Sequence, residues 1–124
     1  MKSTTSHRES LGSYGREYQL AQAEKYRNRA QNHWRHRIEL GHRLVDEHVL
    51  ARLPKQDPSK VTVVDIGCSI GTFAIEFARR GFRAIGVDFD AMAIDVAREL
   101  AAEERVSPEF LVADVAEMGE TIGR

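Results

Sequence analysis

Cysteine is almost absent from this chain: Cys68 is the single one in 124 residues, so no disulfide can close within it. No apolar run approaches the roughly 20 residues that a membrane-spanning helix needs, and no membrane partner is expected. The opening residues M-K-S-T-T-S-H-R-E-S follow their charges with no apolar stretch, so they do not read as a secretory signal, and a cytoplasmic location is expected. Histidine is missing from everything after His48, and no histidine or cysteine spacing suggests a metal site. Net charge is nearly zero as well, with 18 Lys and Arg against 19 Asp and Glu. The halves differ, however: residues 1–60 hold 12 basic and 7 acidic side chains, and residues 61–124 hold 6 and 12. The basic excess lies on a helical segment, where a solvated face is the ordinary explanation, and nucleic acid is not an expected partner. No internal repeat or low-complexity tract is present.

What the chain does contain is one domain's worth of sequence, enough to bury roughly two thirds of its unfolded surface. Residues 1–13 are polar and are expected to form a flexible N-terminus. Residues 14–53 read as a helical segment broken near Asn28 to Asn32, with Trp34, Ile38, Val45 and Val49 on one stripe. Pro54 and Pro58 mark a surface connection. Val61 to Ile66 is short and β-branched, which suits a strand covered on both faces. A helix is expected from Ile70 to Arg80, closed by Gly81, and a second strand over Arg83 to Val87. Asp90 reads as the N-cap of a helix from Ala91 to about Arg105, and Phe110 to Ala113 as a third strand ending at Asp114. Strand, helix, strand, helix, strand is the order of a Rossmann-like, doubly wound parallel sheet of α/β class. Only its first three strands have sequence here, preceded by the N-terminal helices, and residues 61–124 make up this partial domain.

The turn Gly67-Cys68-Ser69-Ile70-Gly71 admits three chemistries. A dinucleotide fingerprint needs glycine at the positions of Gly67, Ser69 and Thr72, and two of those three are missing. G-x-S-x-G also spells a nucleophile elbow, but that chemistry needs a histidine base later in the chain, and none follows Ser69. The third reading rests on Asp65, at the carboxyl end of its strand, where open sheets bind ligands. Charges about 4 Å apart interact by roughly 4 kcal/mol at an effective dielectric of 20. A pyrophosphate there would be repelled and an ammonium or sulfonium attracted. Asp88, 21 residues after Gly67, stands where a carboxylate grips a ribose.

The stretch Asp65-Ile66-Gly67-Cys68-Ser69-Ile70-Gly71 resembles the first motif of class I S-adenosylmethionine-dependent methyltransferases, D-x-G-x-G-x-G, with Ser69 at the middle glycine. Gly86-Val87-Asp88-Phe89-Asp90 is similar to the family's second, acidic motif and Ala113-Asp114-Val115 to its third, so the resemblance covers about residues 61–115. It implies S-adenosyl-L-methionine as cofactor. The Gly67 to Gly71 turn would meet its methionine part, Asp88 the ribose hydroxyls, Phe89 the adenine face, and Asp114 with the Val115 backbone N–H the adenine edge. Asp65, Gly67, Cys68, Ser69, Gly71, Asp88, Phe89, Asp114 and Val115 are therefore the expected cofactor-binding residues, with Cys68 a small apolar filler beside the pocket. By analogy with lids in this family, Tyr14, Tyr18 and His33 are candidates for an acceptor site, set against a plain solvated helix with Trp34 in the core. No catalytic residue is assigned. The expected activity is methyl transfer to a small molecule; a nicotinamide-dependent Rossmann oxidoreductase and a non-catalytic nucleotide-binding remnant stay open. A full domain of the class has seven strands. With three, the first strand keeps an open edge, and self-association through it is expected.

Overall fold

The structure, a computed structural model, describes residues 15–114. The expected flexible stretch 1–13, the lid candidate Tyr14 and the adenine-edge residue Val115 lie outside the described residues.

Two helices come first, α1 (Gly15–Arg27) and α2 (Trp34–His48), separated by a 3-10 turn at Arg29–Gln31. The break falls where Asn32 turns its side chain on the backbone: its amide donates to the Lys25 carbonyl at 2.9 Å, and its Oδ1 accepts from the Trp34 N–H at 2.8 Å. Short 3-10 turns at Leu50–Arg52 and Pro58–Lys60 then lead into the alternating part. This consists of β1 (Thr62–Ile66), α3 (Thr72–Arg79), β2 (Arg83–Asp88), α4 (Ala91–Glu103) and β3 (Glu109–Val112). Asp90 caps α4 as its sequence position implies, accepting from the Met92 N–H at 3.0 Å.

The sheet is parallel and runs β1-β2-β3, with Asp65 beside Gly86 and Asp88 beside Val112 in register. β2, flanked on both edges, buries Ala84, Ile85, Gly86 and Val87. The expectation that β1 is covered on both faces needs correction: Val63, Val64 and Asp65 are half-buried, and Ile66 is 50% exposed. The reason is topological, since among the described residues β1 pairs with β2 alone and nothing covers its other edge.

The core is built where α3 and α4 meet the sheet, around Ile75, Ile94, Leu100 and Phe110. The N-terminal helices complete it. Ala23 and Tyr26 of α1 and Trp34 and Ile38 of α2 belong to the same cluster, α1 lying along α4 and α2 against α3. Three arginine–glutamate pairs fasten α1 and its following turn to α4 and the residue just past it: Arg16–Glu99 at 2.9 Å, Arg27–Glu103 at 2.8 Å and Arg29–Glu104 at 2.9 Å. A polar knot fixes α1 and α2 to α3: Glu76, almost buried, accepts from the Tyr26 hydroxyl, from Arg79 at 2.7 Å and from His42 Nε2 at 3.2 Å. Arg80 can only donate, so its contact with His42 Nδ1 at 3.1 Å leaves the imidazole proton on Nε2, facing Glu76.

Candidate cofactor site

The carboxyl ends of β1 and β2 are stitched together by a single side chain. Asp88 accepts the Ser69 N–H on one carboxylate oxygen and the Asp90 N–H on the other, both at 2.9 Å. The turn after β1 is further held by the Gly67 and Cys68 N–H groups, which share the Val87 carbonyl at 2.7 and 3.0 Å. Asp88 is therefore a turn organiser as well as a carboxylate at the carboxyl ends of the strands. Each of its oxygens keeps a second lone-pair direction for another donor.

Gly67 and Gly71 bracket the turn for different reasons. Both have left-handed backbone, φ 75° and 79°. A Cβ on Gly67 would meet nothing within 4 Å, so the residue opens onto free space. A Cβ on Gly71 would stand 2.5 Å from Phe110 Cε1 and 3.1 Å from the Ala97 Cβ, so this glycine lets β3 and α4 pack against the turn. Ser69, at φ 53°, takes the left-handed conformation without being glycine, and the hydrogen bond from its N–H to Asp88 helps to hold it there.

A cavity of about 300 Å³ lies over this turn. Its floor is Asp65, Gly67, Cys68 and Ser69, and its wall includes Ile70, Thr72 and Phe73 at the start of α3. Its roof comes from the N-terminal helices: Tyr18 and Gln22 of α1, and Trp34 and Arg37 of α2. Asp65 is the notable group. It is half-buried and, among the described residues, has no hydrogen-bond or ion-pair partner; burial and the nearby Asp88 charge raise its pKa above the ordinary carboxylate value. A carboxylate so placed is stabilised by a cation. Cys68 is only 5% exposed, and its thiol is pushed up to about 12 by burial and by Asp65 and Asp88. It is a protonated filler and not a nucleophile. Among the described residues no imidazole lines the cavity to serve as the base that a serine nucleophile would need.

Of the residues singled out in the sequence, Asp65, Gly67, Cys68 and Ser69 meet in the cavity. Gly71 sits behind it in the core. Asp88, Phe89 and Asp114 lie outside it, along the ends of β2 and β3, where Phe89 is 55% exposed. His33 is exposed and does not line the cavity, whereas Tyr18 does. Gln22, Trp34, Arg37, Thr72 and Phe73 were not assigned to the site from sequence. By sequence spacing Trp34 shares a helix face with Ile38, and Arg37 with His33, but nothing local says that either face turns toward Asp65.

Comparison with known proteins bears on the family and the fold. Residues 63–122 match the family described as a methyltransferase domain. The chain carries a methyltransferase domain of the class I, S-adenosylmethionine-dependent kind. It is 39% identical over 70 residues to the magnesium-protoporphyrin O-methyltransferase of Rhodobacter capsulatus, covering 56% of this chain and 31% of the relative. It is 38% identical over 56 residues to a tRNA (uracil(54)-C(5))-methyltransferase of Pyrococcus furiosus, covering 45% of this chain and 14% of the relative. The chain thus spans less than a third of the length of these curated relatives. Among solved structures, the bifunctional kinase-methyltransferase WbdD superposes with a TM-score of 0.54 at 29% identity, over 70% of this chain and 18% of that one. The PH0226 protein of Pyrococcus horikoshii OT3 gives 0.52 at 28% identity, over 68% and 34%. The methyltransferase domain thus has its described sheet of three parallel strands and its turn after β1 in the arrangement that the sequence motifs imply.

Proposed function

We propose that the chain binds S-adenosyl-L-methionine over the turn after β1 and serves methyl transfer to a small-molecule acceptor, with residues 14–53 acting as the roof of a cofactor domain formed by 61–124. The observation that carries this reading is Asp65: a half-buried carboxylate without a side-chain partner among the described residues, beside a glycine whose missing side chain leaves open space. Those residues fit the cofactor, because its ammonium supplies the charge that Asp65 lacks and its bulk occupies the space over Gly67. When bound, the cofactor supplies an electrophilic methyl group on a sulfonium centre.

The chain's own residues bind and orient. Asp65 accepts hydrogen bonds from the ammonium, and Asp88 uses its remaining lone pairs for the ribose hydroxyls. Phe89 offers its exposed ring to the adenine face, and Asp114 accepts at the adenine edge. Cys68 and Ser69 complete the floor, Gly71 keeps the turn close to the sheet, and Val115 would add a backbone donor. Alignment of donor and acceptor is the protein's main contribution to rate. A small-molecule acceptor is supported by the porphyrin specificity in the name of the relative with the greater coverage, and by the pairing of Arg16, Arg27 and Arg29 in the basic N-terminal half with glutamates.

Calorimetric titration with S-adenosylhomocysteine, and separately with NADH, tests the reading. Binding of the former is expected, weakened by about tenfold or more in Asp65→Asn, the loss of one charge-assisted hydrogen bond. Preference for NADH would overturn it. Binding without transfer to any acceptor in a panel that includes porphyrins and tRNA would mark a non-catalytic binding module.

A further inference from the structure

Gln19 of α1 is an amide in the core. It is 2% exposed, and its Oε1 is, among the described residues, the one buried side-chain oxygen or nitrogen without a hydrogen-bond partner. An unpaired buried acceptor is destabilising, and methionine would fill the same space without that cost. What the amide does that methionine could not is at its other end, where Nε2 donates to Asp90 Oδ2 at 3.5 Å.

Asp90 is buried as well, and it works in three directions. Its Oδ1 accepts from the Met92 N–H and caps α4, its Oδ2 accepts from Gln19, and its backbone N–H donates to Asp88 Oδ1 at 2.9 Å. Asp88 in turn accepts the Ser69 N–H. A continuous line of hydrogen bonds therefore runs from α1 through the start of α4 to the turn after β1. The same helix roofs the cavity through Tyr18, next to Gln19, and Gln22, one turn on. The choice of an amide matters electrostatically. Asp65, Asp88 and Asp90 gather negative charge at the ends of β1 and β2, and the Asp88 charge is felt at Asp65. A lysine or arginine in place of Gln19 could also donate to Asp90, but it would offset the field that attracts a cationic ligand; the amide donates and adds no charge.

We propose that Gln19 is a positioning residue of the cofactor site: by holding Asp90 it fixes the N–H that orients Asp88, and so sets the ribose-binding carboxylate against the roof helix α1. The inference rests on the assignment of Asp88 to the ribose hydroxyls above, and it adds a residue 71 positions from Asp90 that no sequence motif contains.

The test is calorimetric titration of S-adenosylhomocysteine into the full chain, Gln19→Met, Asp88→Asn and the double variant. Gln19→Met should weaken binding about 3- to 10-fold, the lower part of the range for a hydrogen bond to a charged group because the contact is long. In the Asp88→Asn background the same substitution should change affinity by less than about twofold, since its effect passes through the Asp88 carboxylate. Losses that multiply in the double variant overturn the inference in favour of a merely structural role, and so does unchanged affinity in Gln19→Met. If far-UV circular dichroism shows Gln19→Met unfolded, Asp90→Ser tests the same link. Serine keeps a cap for the Met92 N–H but removes the oxygen that Gln19 holds, so a similar loss supports the inference and unchanged affinity overturns it. Gln19→Glu supplies a pH profile: its carboxyl can donate to Asp90 only when protonated, so its affinity relative to the parent should recover as pH falls from about 8 to about 6. A flat ratio overturns the inference. If the parent chain does not bind S-adenosylhomocysteine, the cofactor assignment itself falls.

Discussion

Gly67 and Gly71 look equivalent in sequence and should respond very differently to the same substitution. Alanine at either position must adopt left-handed backbone, at a cost of about 1–2 kcal/mol. At Gly67 that is the whole penalty, because the added methyl faces open space. At Gly71 the methyl would stand 2.5 Å from Phe110 Cε1 and 2.6 Å from Cζ, on a side chain that is 7% exposed and confined by its neighbours. Overpacking of this kind adds about 1–3 kcal/mol, which brings Gly71→Ala to about 2–5 kcal/mol. At roughly 4 °C per kcal/mol, the melting temperature should fall by about 4–8 °C for Gly67→Ala and about 8–20 °C for Gly71→Ala. Thermal and urea unfolding followed by circular dichroism measure both. Binding should rank the variants the other way once each is compared at a temperature where it is folded, because the Gly67 methyl enters the space assigned to the cofactor. Equal melting losses, or a greater loss at Gly67, would refute the claim that Gly71 is a packing glycine and Gly67 a ligand-facing one.

The knot around Glu76 should dominate the attachment of α1 and α2. Glu76→Gln removes the charge that Tyr26, His42 and Arg79 all point at and should cost about 3 kcal/mol in urea unfolding, the scale for breaking a buried charged network from one side. Burial opposes the Glu76 charge, but the hydrogen bonds from Tyr26, His42 and Arg79 outweigh it and hold the carboxyl below its ordinary value near 4.5. A depressed pKa stabilises the fold above that value, so this contribution should be complete at neutral pH and be lost as pH falls below about 4.5. Asp65 runs the other way: its raised pKa disfavours the charged form in the absence of ligand, so its contribution is greatest at acid pH and is lost as pH rises through the folded value. The acid-side loss should therefore flatten in Glu76→Gln and persist in Asp65→Asn. The edge of β1 that is unpaired among the described residues is expected to drive self-association of the 124-residue chain in light scattering. A monodisperse monomer that melts cooperatively above about 60 °C, in the upper part of the usual mesophile range of about 45–65 °C, would contradict that.

Much of the alternating half could be read along the chain because its signals are local. Asp90 one residue before an apolar helical pattern, the break near Asn32, and the β-branched run before Gly67 each specify their own backbone. Boundaries moved by a residue or two: α3 begins at Thr72 and not Ile70, since the turn needs Ser69 and Gly71 in left-handed conformation before a helix can start. The composition of β1 reads as a strand covered on both faces, whereas the count of three strands leaves it an open edge, and its half-exposed state follows the count.

By itself the sequence determined the order of elements, the glycine-bracketed turn and the carboxylates at the strand ends, because hydrophobic period, capping and turn chemistry act over a few residues. Only tertiary structure decided that Trp34 and Arg37 roof the cavity above Asp65, and that Tyr26, His42 and Glu76 form one knot. Those groups are tens of residues apart, and what brings them together is the packing of α1 along α4 and of α2 against α3. The same apolar stripe on a helix can bury itself against several neighbours, so its partner is fixed by the shape of the whole core.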